Sequence, residues 1–392
     1  MCVVLFKISK EAETVLNLLE ENDFEAYLVG GCVRDFILDR PCNDYDITTS
    51  AFPEEIKEVF KEYKTVDTGI SHGTVTVIVK SQPFEVTTYR IDGEYIDNRH
   101  PEKVLFSRNL EDDLKRRDFT VNAMAYNKQL VDLYGGINDL KNKVIRCVGD
   151  ADTRFKEDGL RIIRALRFSS VLGFEIEEST SDAIIRNRDL LNNISPERIF
   201  DELKKLLCGK NVKSVIQKYN AVFETIFTGK EFNKRAEYIE KCTSDHDIRF
   251  ASLFLYNPNY KTDYKFLRPD NQSYKRVISL IENFDIDIYP DKVDLKKKIS
   301  KYGVDFISDI IELKGAEGHS VADIKETFHS IINGNECYTL KSLNVNGDDI
   351  KSLGLSGNEI GLYLNDCLEK VIEEKIKNNK ENLLDYVKEK IK

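Results

Sequence analysis

The sequence predicts an α+β fold, with a mixed-sheet head followed by a remainder that is entirely helical. Through residue 143, short apolar runs alternate with helical segments. From about Val144 onward long helical periodicities take over. Arginine is also unevenly placed: 15 of the 19 arginines fall in the first 200 residues, so phosphate-recognising chemistry concentrates in the head and just after it.

In chain order, Lys10–Leu19 has helical spacing. Ala26–Val29, Asp44–Thr48, Thr74–Val79 and Phe84–Thr88 read as strands, with helices at Val33–Leu38 and Pro53–Phe60 between them. Asn193-Ile194-Ser195-Pro196 and Leu267-Arg268-Pro269-Asp270 are turn signals inside the helical part. Gly135-Gly136 reads as a hairpin turn. The Lys/Asn/Glu-rich end, Glu373–Lys392, reads as a solvated terminal helix. With 392 residues the chain should form about two to four packed units. The expected division is a head at 1–143, a neck at 144–205, a body at 206–330 and a tail at 331–392.

Composition excludes several classes. At 41% hydrophobic the chain is too apolar to be disordered. Nowhere do 18 apolar residues run together, so no membrane span is expected. The apolar start Cys2–Phe6 is too short for a signal peptide, which points to the cytoplasm. The eight cysteines lack zinc half-site spacing and read as inert thiols rather than a disulfide framework. A net charge of −10 speaks against nucleic acid as a partner. Its distribution weakens that objection, since residues 1–143 carry −8 and residues 211–392 only −2. Carboxylates for a metal beside arginines for phosphates suggest a metal–nucleotide site in the head.

Three motifs develop that suggestion. Tyr27-Leu28-Val29-Gly30-Gly31-Cys32-Val33-Arg34-Asp35 is a strand ending in two glycines before a helix, a turn that lets backbone approach a phosphate, with Arg34 one turn in. Alone it is equally a tight strand–helix connection. In Asn43-Asp44-Tyr45-Asp46-Ile47, an extended backbone puts Asp44 and Asp46 on one face, where two like charges call for a hard cation, Mg²⁺ or Mn²⁺. An exposed edge strand would look the same. In Pro83-Phe84-Glu85-Val86, Glu85 faces away from its apolar neighbours and is a buried-side candidate for a third carboxylate ligand.

Together these segments resemble the nucleotidyltransferase superfamily that includes DNA polymerase beta. Arg116-Arg117-Asp118-Phe119-Thr120-Val121-Asn122, Asp132-Leu133-Tyr134-Gly135-Gly136, Glu157-Asp158-Gly159-Leu160-Arg161 and Ser195-Pro196-Glu197-Arg198 narrow the resemblance to class II. That class holds the bacterial and eukaryotic CCA-adding tRNA nucleotidyltransferases and the bacterial poly(A) polymerases. The resemblance covers nearly the whole chain. It implies a polymerase-beta-like head followed by helical neck, body and tail.

It also implies two Mg²⁺ ions on Asp44 and Asp46, Glu85 as the third catalytic carboxylate, and Gly30, Gly31 and Arg34 on the triphosphate. Arg117, Asp118 and Asn122 are implied as nucleotide-binding positions, with Asp118 accepting from a ribose hydroxyl. On a predicted helix, Asp158, Arg161 and Arg164 would share one face. An aspartate only accepts and an arginine only donates, so such a pair suits the amine and acceptors of C and A and rejects U and G. The resemblance implies that Asp158 and Arg161 are the amino-acid template for CTP and ATP.

Gly69-Ile70-Ser71-His72-Gly73-Thr74 stands where poly(A) polymerases carry a Gly-Arg-Arg-Phe-type segment, and looks like the CCA-adding branch. The stretch Ile91–Leu105 looks like the full-length loop of enzymes that complete CCA. No phosphohydrolase activity is expected, because His246-Asp247, His319 and His329 do not match that domain's ligands. The body and tail should grip the acceptor arm of tRNA, with Asp294–Lys301 and Lys370–Lys392 as candidate contacts. CC-only, A-only and poly(A) addition remain alternatives, as does a catalytically silent tRNA-binding protein. A Rossmann reading fails for want of Gly-x-Gly-x-x-Gly.

Overall fold

A computed structural model describes residues 6, 8–42, 44–92 and 104–391. The chain forms two compact units, Met1–Ala236 with Thr262–Arg268, and Glu237–Lys261 with Pro269–Lys392. The first has the expected α+β architecture. The second is helical.

The strands in chain order are β1 Ala26–Val29, β2 Asp46–Thr49, β3 Lys64–Gly69, β4 Thr74–Val79, β5 Gln82–Thr88, β6 Arg90–Asp92, β7 Val104–Phe106, β8 Met124–Asn127 and β9 Gln129–Asp132. Helices α1 Lys10–Glu21, α2 Gly31–Ile37, α3 Pro53–Val59, α4 Leu110–Lys115 and α5 Gly136–Asn142 accompany them. Seven strands make one sheet, ordered β3-β4-β5-β2-β1-β8-β9. Its neighbours run antiparallel except β2 and β5, which are parallel. That exception places Asp46 directly beside Glu85.

β1 and β4 match the predicted spans. β3, β8 and β9 were not expected: Lys64–Gly69 contains only one strongly apolar residue, Val66, and the β8–β9 hairpin lies beyond the predicted strands. Gly135-Gly136 is not a hairpin turn. Gly135 (φ 79°) is the N-cap of α5, and the β8–β9 hairpin turns at Lys128 (φ 57°) instead. Behind the sheet, Val29, Tyr89, Leu110, Leu114 and Ala125 form a cluster that seats α4.

After the sheet come α6 Ala151–Glu157, α7 Leu160–Leu172, α8 Glu178–Asn187 and α9 Pro196–Leu207. α7 is buried on most of its circumference, leaving only Arg164, Arg167 and Val171 partly accessible on one narrow face. α9 starts at Ser195 with Pro196 in its first turn and buries Ile199, Phe200, Leu203, Leu206 and Leu207. At roughly 1.5–3 kcal/mol per buried large apolar side chain, this face holds α9 in place. Behind α9 the backbone passes very close to α7. The Ser170 hydroxyl donates to Leu206 O at 2.7 Å, and Asn211 N–H donates to Ser170 O at 3.0 Å.

In the second unit, Leu343, Ile350, Cys367, Leu368, Leu383 and Val387 are among the residues of a separate core. The terminal helix Lys380–Ile391 is therefore anchored, not merely solvated, through buried Leu383 and Val387. Among the described residues no helix is long and apolar enough to cross a membrane.

The α7–α9 approach gives a test. A β-carbon on Gly209 would sit 2.1 Å from Ser170 Oγ and 2.5 Å from its carbonyl carbon. Gly209→Ala should destabilise the chain by about 1–3 kcal/mol in urea denaturation. An unchanged midpoint would contradict this packing.

Candidate active site

At the end of β1 the backbone of Gly30 takes φ 74° and ψ −131°, a conformation that side chains disfavour. A β-carbon there would lie 3.2 Å from Arg117 Nη1 and 3.7 Å from Asp46 Oδ2. A turn, an arginine and a carboxylate from three distant segments thus meet at one point.

Asp46 opens β2 and is paired in register with Glu85 on β5. Tyr45, Ile47, Phe84 and Val86 are buried, while Asp44, Asp46 and Glu85 are exposed. The shared face is as expected, with two corrections. Asp44 precedes the strand rather than lying in it, and Glu85 is on the open face rather than a buried one.

Although the Asp46 side chain reaches solvent, the protein around it strips enough water to raise its pKa to about 6. The charges of Asp44 and Glu85 add to the rise and Arg117 opposes it. Three carboxylates with this little compensating charge are a hard-oxygen donor set that a divalent cation would satisfy.

Asp46 also lines a cleft of about 630 Å³, together with Gly30, Gly31, Arg34, Arg117, Asp118, Asn122 and Arg164. Buried carboxylates hold its arginines. Asp118 Oδ2 accepts from Arg164 Nε at 2.9 Å and Nη2 at 2.6 Å. Its Oδ1 accepts from Phe119 N–H at 2.8 Å and Asn122 Nδ2 at 3.1 Å. Asn122 Oδ1 accepts from Arg34 Nη1 at 2.8 Å, and Asp35 takes the other edge of that guanidinium. Burial works to raise the Asp118 pKa, but Arg164 and Asn122 hold it at about 2. Asp113, fully buried, receives Arg116 on Oδ1 (3.0 and 2.6 Å) and Arg117 on Oδ2 (3.3 and 2.9 Å). Burial again pushes upward, and the two arginines bring it down to about 2.

Asp158 and Arg161 do not line this cleft. Asp158 is not helical. It sits in extended backbone between α6 and α7, where it binds Arg198 Nη2 at 2.8 Å and accepts from Leu160 N–H. Arg161 is buried, donating to Glu157 Oε2 at 2.6 Å and Arg116 O at 2.9 Å. Of the three residues expected on one face, only Arg164 reaches the cleft.

Several lining groups went unforeseen: Arg40, Lys205, Arg167 and Phe168. The Phe168 ring lies under three guanidiniums, with Arg167 at 4.0 Å, Arg34 at 5.1 Å and Arg164 at 5.6 Å from its centroid. Arg167 pairs with Glu202 of α9 at 3.0 Å, and burial lowers its pKa to about 10. The i, i+3 and i, i+4 spacing of Asp113 to Arg116 and Arg117 was a readable signal. Glu202 gave none beyond being a charge among apolar helix positions.

In the second unit Asp245, His246 and Asp247 bring potential ligand atoms within 4.8 Å of one another. Arg276 already pairs with both aspartates, at 2.9 Å from Asp245 and 3.3 Å from Asp247, and a metal would have to displace it.

Asp113→Ala should cost about 3–5 kcal/mol of stability, because it strands two guanidiniums over a buried pocket. A loss below about 1 kcal/mol would show that water replaces the carboxylate. Asp113 and Asp118 have folded pKa values below the ordinary 3.8, so their stabilisation is full above that value and is lost as pH falls toward about 2. Acid titration of the Asp113→Ala protein should show a correspondingly weaker loss.

Residues 26–146 match the model of the Poly A polymerase head domain, and residues 173–219 match that of the probable RNA and SrmB-binding site of polymerase A. The CCA-adding enzyme of Lactobacillus delbrueckii subsp. bulgaricus is 52% identical over 217 residues, 55% of this chain and 54% of that protein. The chain thus aligns with about half the length of that relative. The CCA-adding enzyme of Streptococcus gordonii is 36% identical over 400 residues, 97% of each chain. The structure of the Bacillus stearothermophilus CCA-adding enzyme in complex with CTP superposes with a TM-score of 0.82 at 29% identity, covering 97% of both chains. A site in which glycine turn, paired carboxylates and arginine wall converge, together with similarity to CCA-adding enzymes along almost the whole chain, places this protein in the CCA-adding enzyme family of nucleotidyltransferases.

Proposed function

We propose that the chain adds CCA to the 3′ end of tRNA without a nucleic-acid template, using CTP and ATP and releasing pyrophosphate. The observation that carries this is the meeting of Gly30, Arg117 and Asp46 in an arginine-walled cleft, with Glu85 paired beside Asp46 on the next strand. Gly30 and Gly31 offer close backbone approach, and Arg34 and Arg117 bind the triphosphate. Asp44 and Asp46 would hold two Mg²⁺ ions, with Mn²⁺ as the alternative, and Glu85 would be the third carboxylate of the set. Divalent cations there supply Lewis acidity for an in-line displacement.

Base selection falls to Asp158 and Arg161. In this role they exchange Arg198 and Glu157 for the base edge when nucleotide enters. Asp118 and Asn122 hold the ribose end of the cleft, and Arg164 fixes Asp118. The head at 1–143 then does the chemistry and the neck at 144–205 reads the base. The body at 206–330 and the tail at 331–392 bind tRNA, and the protein works in the cytoplasm.

The lysines expected to grip tRNA are largely engaged with carboxylates. Lys296 bridges Glu336 and Glu374, Lys297 pairs with Glu373, and Lys390 with Asp366. Phosphate binding there requires partner exchange, so it should be strongly salt-dependent. The loop at Ile91–Leu105 lies mostly outside the described residues, so the preference for full CCA over CC-only addition rests on its length in the sequence.

Three tRNA substrates, ending at the discriminator base, at C or at CC, separate the alternatives. Stepwise incorporation on all three supports the proposal. Arrest at CC, or extension from CC alone, replaces it with the CC-only or A-only reading. Asp46→Ala should abolish incorporation while tRNA binding persists. Protonation of Asp46 competes with cation binding, so Mg²⁺ affinity should fall as pH drops below about 6. Affinity that stays flat from pH 7 to about 5 would remove Asp46 from the ligand set.

A further inference from the structure

Hydrogen-bonding capacity is unevenly spent where Asp118 and Asn122 meet the cleft. Asp118 is saturated. Its Oδ2 accepts from Arg164 Nε and Nη2, and its Oδ1 accepts from Phe119 N–H and Asn122 Nδ2. Two bonds on each oxygen use up the lone pairs of an ionised carboxylate. A further donor has to displace one of them.

Asn122 is only half used. Its Nδ2 donates to Asp118 at 3.1 Å, and its Oδ1 accepts from Arg34 Nη1 at 2.8 Å. These neighbours fix which way the amide points, because a carboxylate only accepts and a guanidinium only donates. One N–H and one lone pair of the amide remain, and among the described residues nothing else takes them. Asn122 is buried, yet it lines the cleft. Apart from Cys208, a weak donor, every other lining side chain able to hydrogen-bond is a carboxylate or a cation. Among the described residues, Asn122 is thus the lining side chain that can both give and take strongly at one place.

We propose that Asn122, rather than Asp118, is the specificity-determining residue that reads a ribose hydroxyl of the incoming nucleotide. A hydroxyl both donates and accepts, which matches the unspent lone pair and N–H. It donates to Asn122 Oδ1 and accepts from Nδ2. No existing bond is broken, whereas reading at Asp118 costs one. Arg34, the triphosphate arginine of the proposed function, is bonded to the same amide. The part of the nucleotide that Asn122 meets is therefore the part next to the phosphates, the sugar. Asp118 acts as a positioning residue: braced by Arg164, it holds the amide in one orientation. A nucleotide without the hydroxyl leaves a buried N–H and carbonyl unpaired, and such a site rejects it.

The assignment rests on the proposed use of CTP, and titration of the full-length protein with nucleotide alone separates the two. The parent should bind CTP about tenfold or more tighter than one of 2′-deoxy-CTP and 3′-deoxy-CTP, and which one identifies the hydroxyl. Asn122→Ala should shrink that preference to about twofold or less, both in Kd and in kcat/KM for incorporation into tRNA lacking CCA. The ratio does not depend on the fraction of protein that folds, and a loosened Arg34 affects all three nucleotides alike. Asp118→Asn should weaken all three and keep the preference. A preference that survives Asn122→Ala overturns the proposal, above all if Asp118→Asn abolishes it. So does a parent that binds all three nucleotides equally. A parent that binds no CTP overturns the functional reading, and this assignment with it.

Discussion

The cleft depends on one constraint: its cationic groups have to be held rigid by buried anions. Asp113, Asp118 and Glu202 supply those anions. Each is buried, and each binds an arginine whose guanidinium lies at the cleft or beside it. Removing a carboxylate from water is costly, and the arginines recover that cost by pairing at close range. Their own freedom is lost in the process. Phe168 completes the arrangement by giving three guanidiniums one flat surface to rest against.

This constraint explains what the sequence could and could not disclose. Ala26–Val29, Thr74–Val79 and the helix after Gly30 were legible because local patterning and tertiary structure agree there. The closeness of Asp46 and Glu85 was legible only as a guess about facing, since it depends on a parallel pairing across 39 residues. Asp158 was misplaced because helical spacing on either side ran straight through a break at Asp158-Gly159. Arg161 had the right position on the helix, but Glu157 one turn earlier claims it. Glu202 was invisible because a buried acid looks like an exposed one until its partner on another helix is known.

Charge shows the same pattern. The chain is acidic overall, yet the cleft walls gather Arg34, Arg40, Arg117, Arg164, Arg167 and Lys205 against Asp35, Asp46 and Asp118. In the second unit the reverse holds. Dense lysines look like a nucleic-acid surface in the sequence, but they meet Glu336, Glu373 and Glu374 within it. Bulk composition misled in both places, because potential is set by which charges are left over after pairing.

The central position of β1 also governs the order of assembly. It pairs with β2 on one side and with β8 on the other, joining Leu28 to Tyr126 across nearly a hundred residues. During synthesis the glycine turn at its end emerges early, but the strand that flanks it appears much later, and Arg164 later still. Contacts this distant in sequence form slowly, after shorter-range pairings have already been tried. The cleft wall draws on segments from Gly30 to Cys208, so it is complete only when the Glu202-bearing helix has docked.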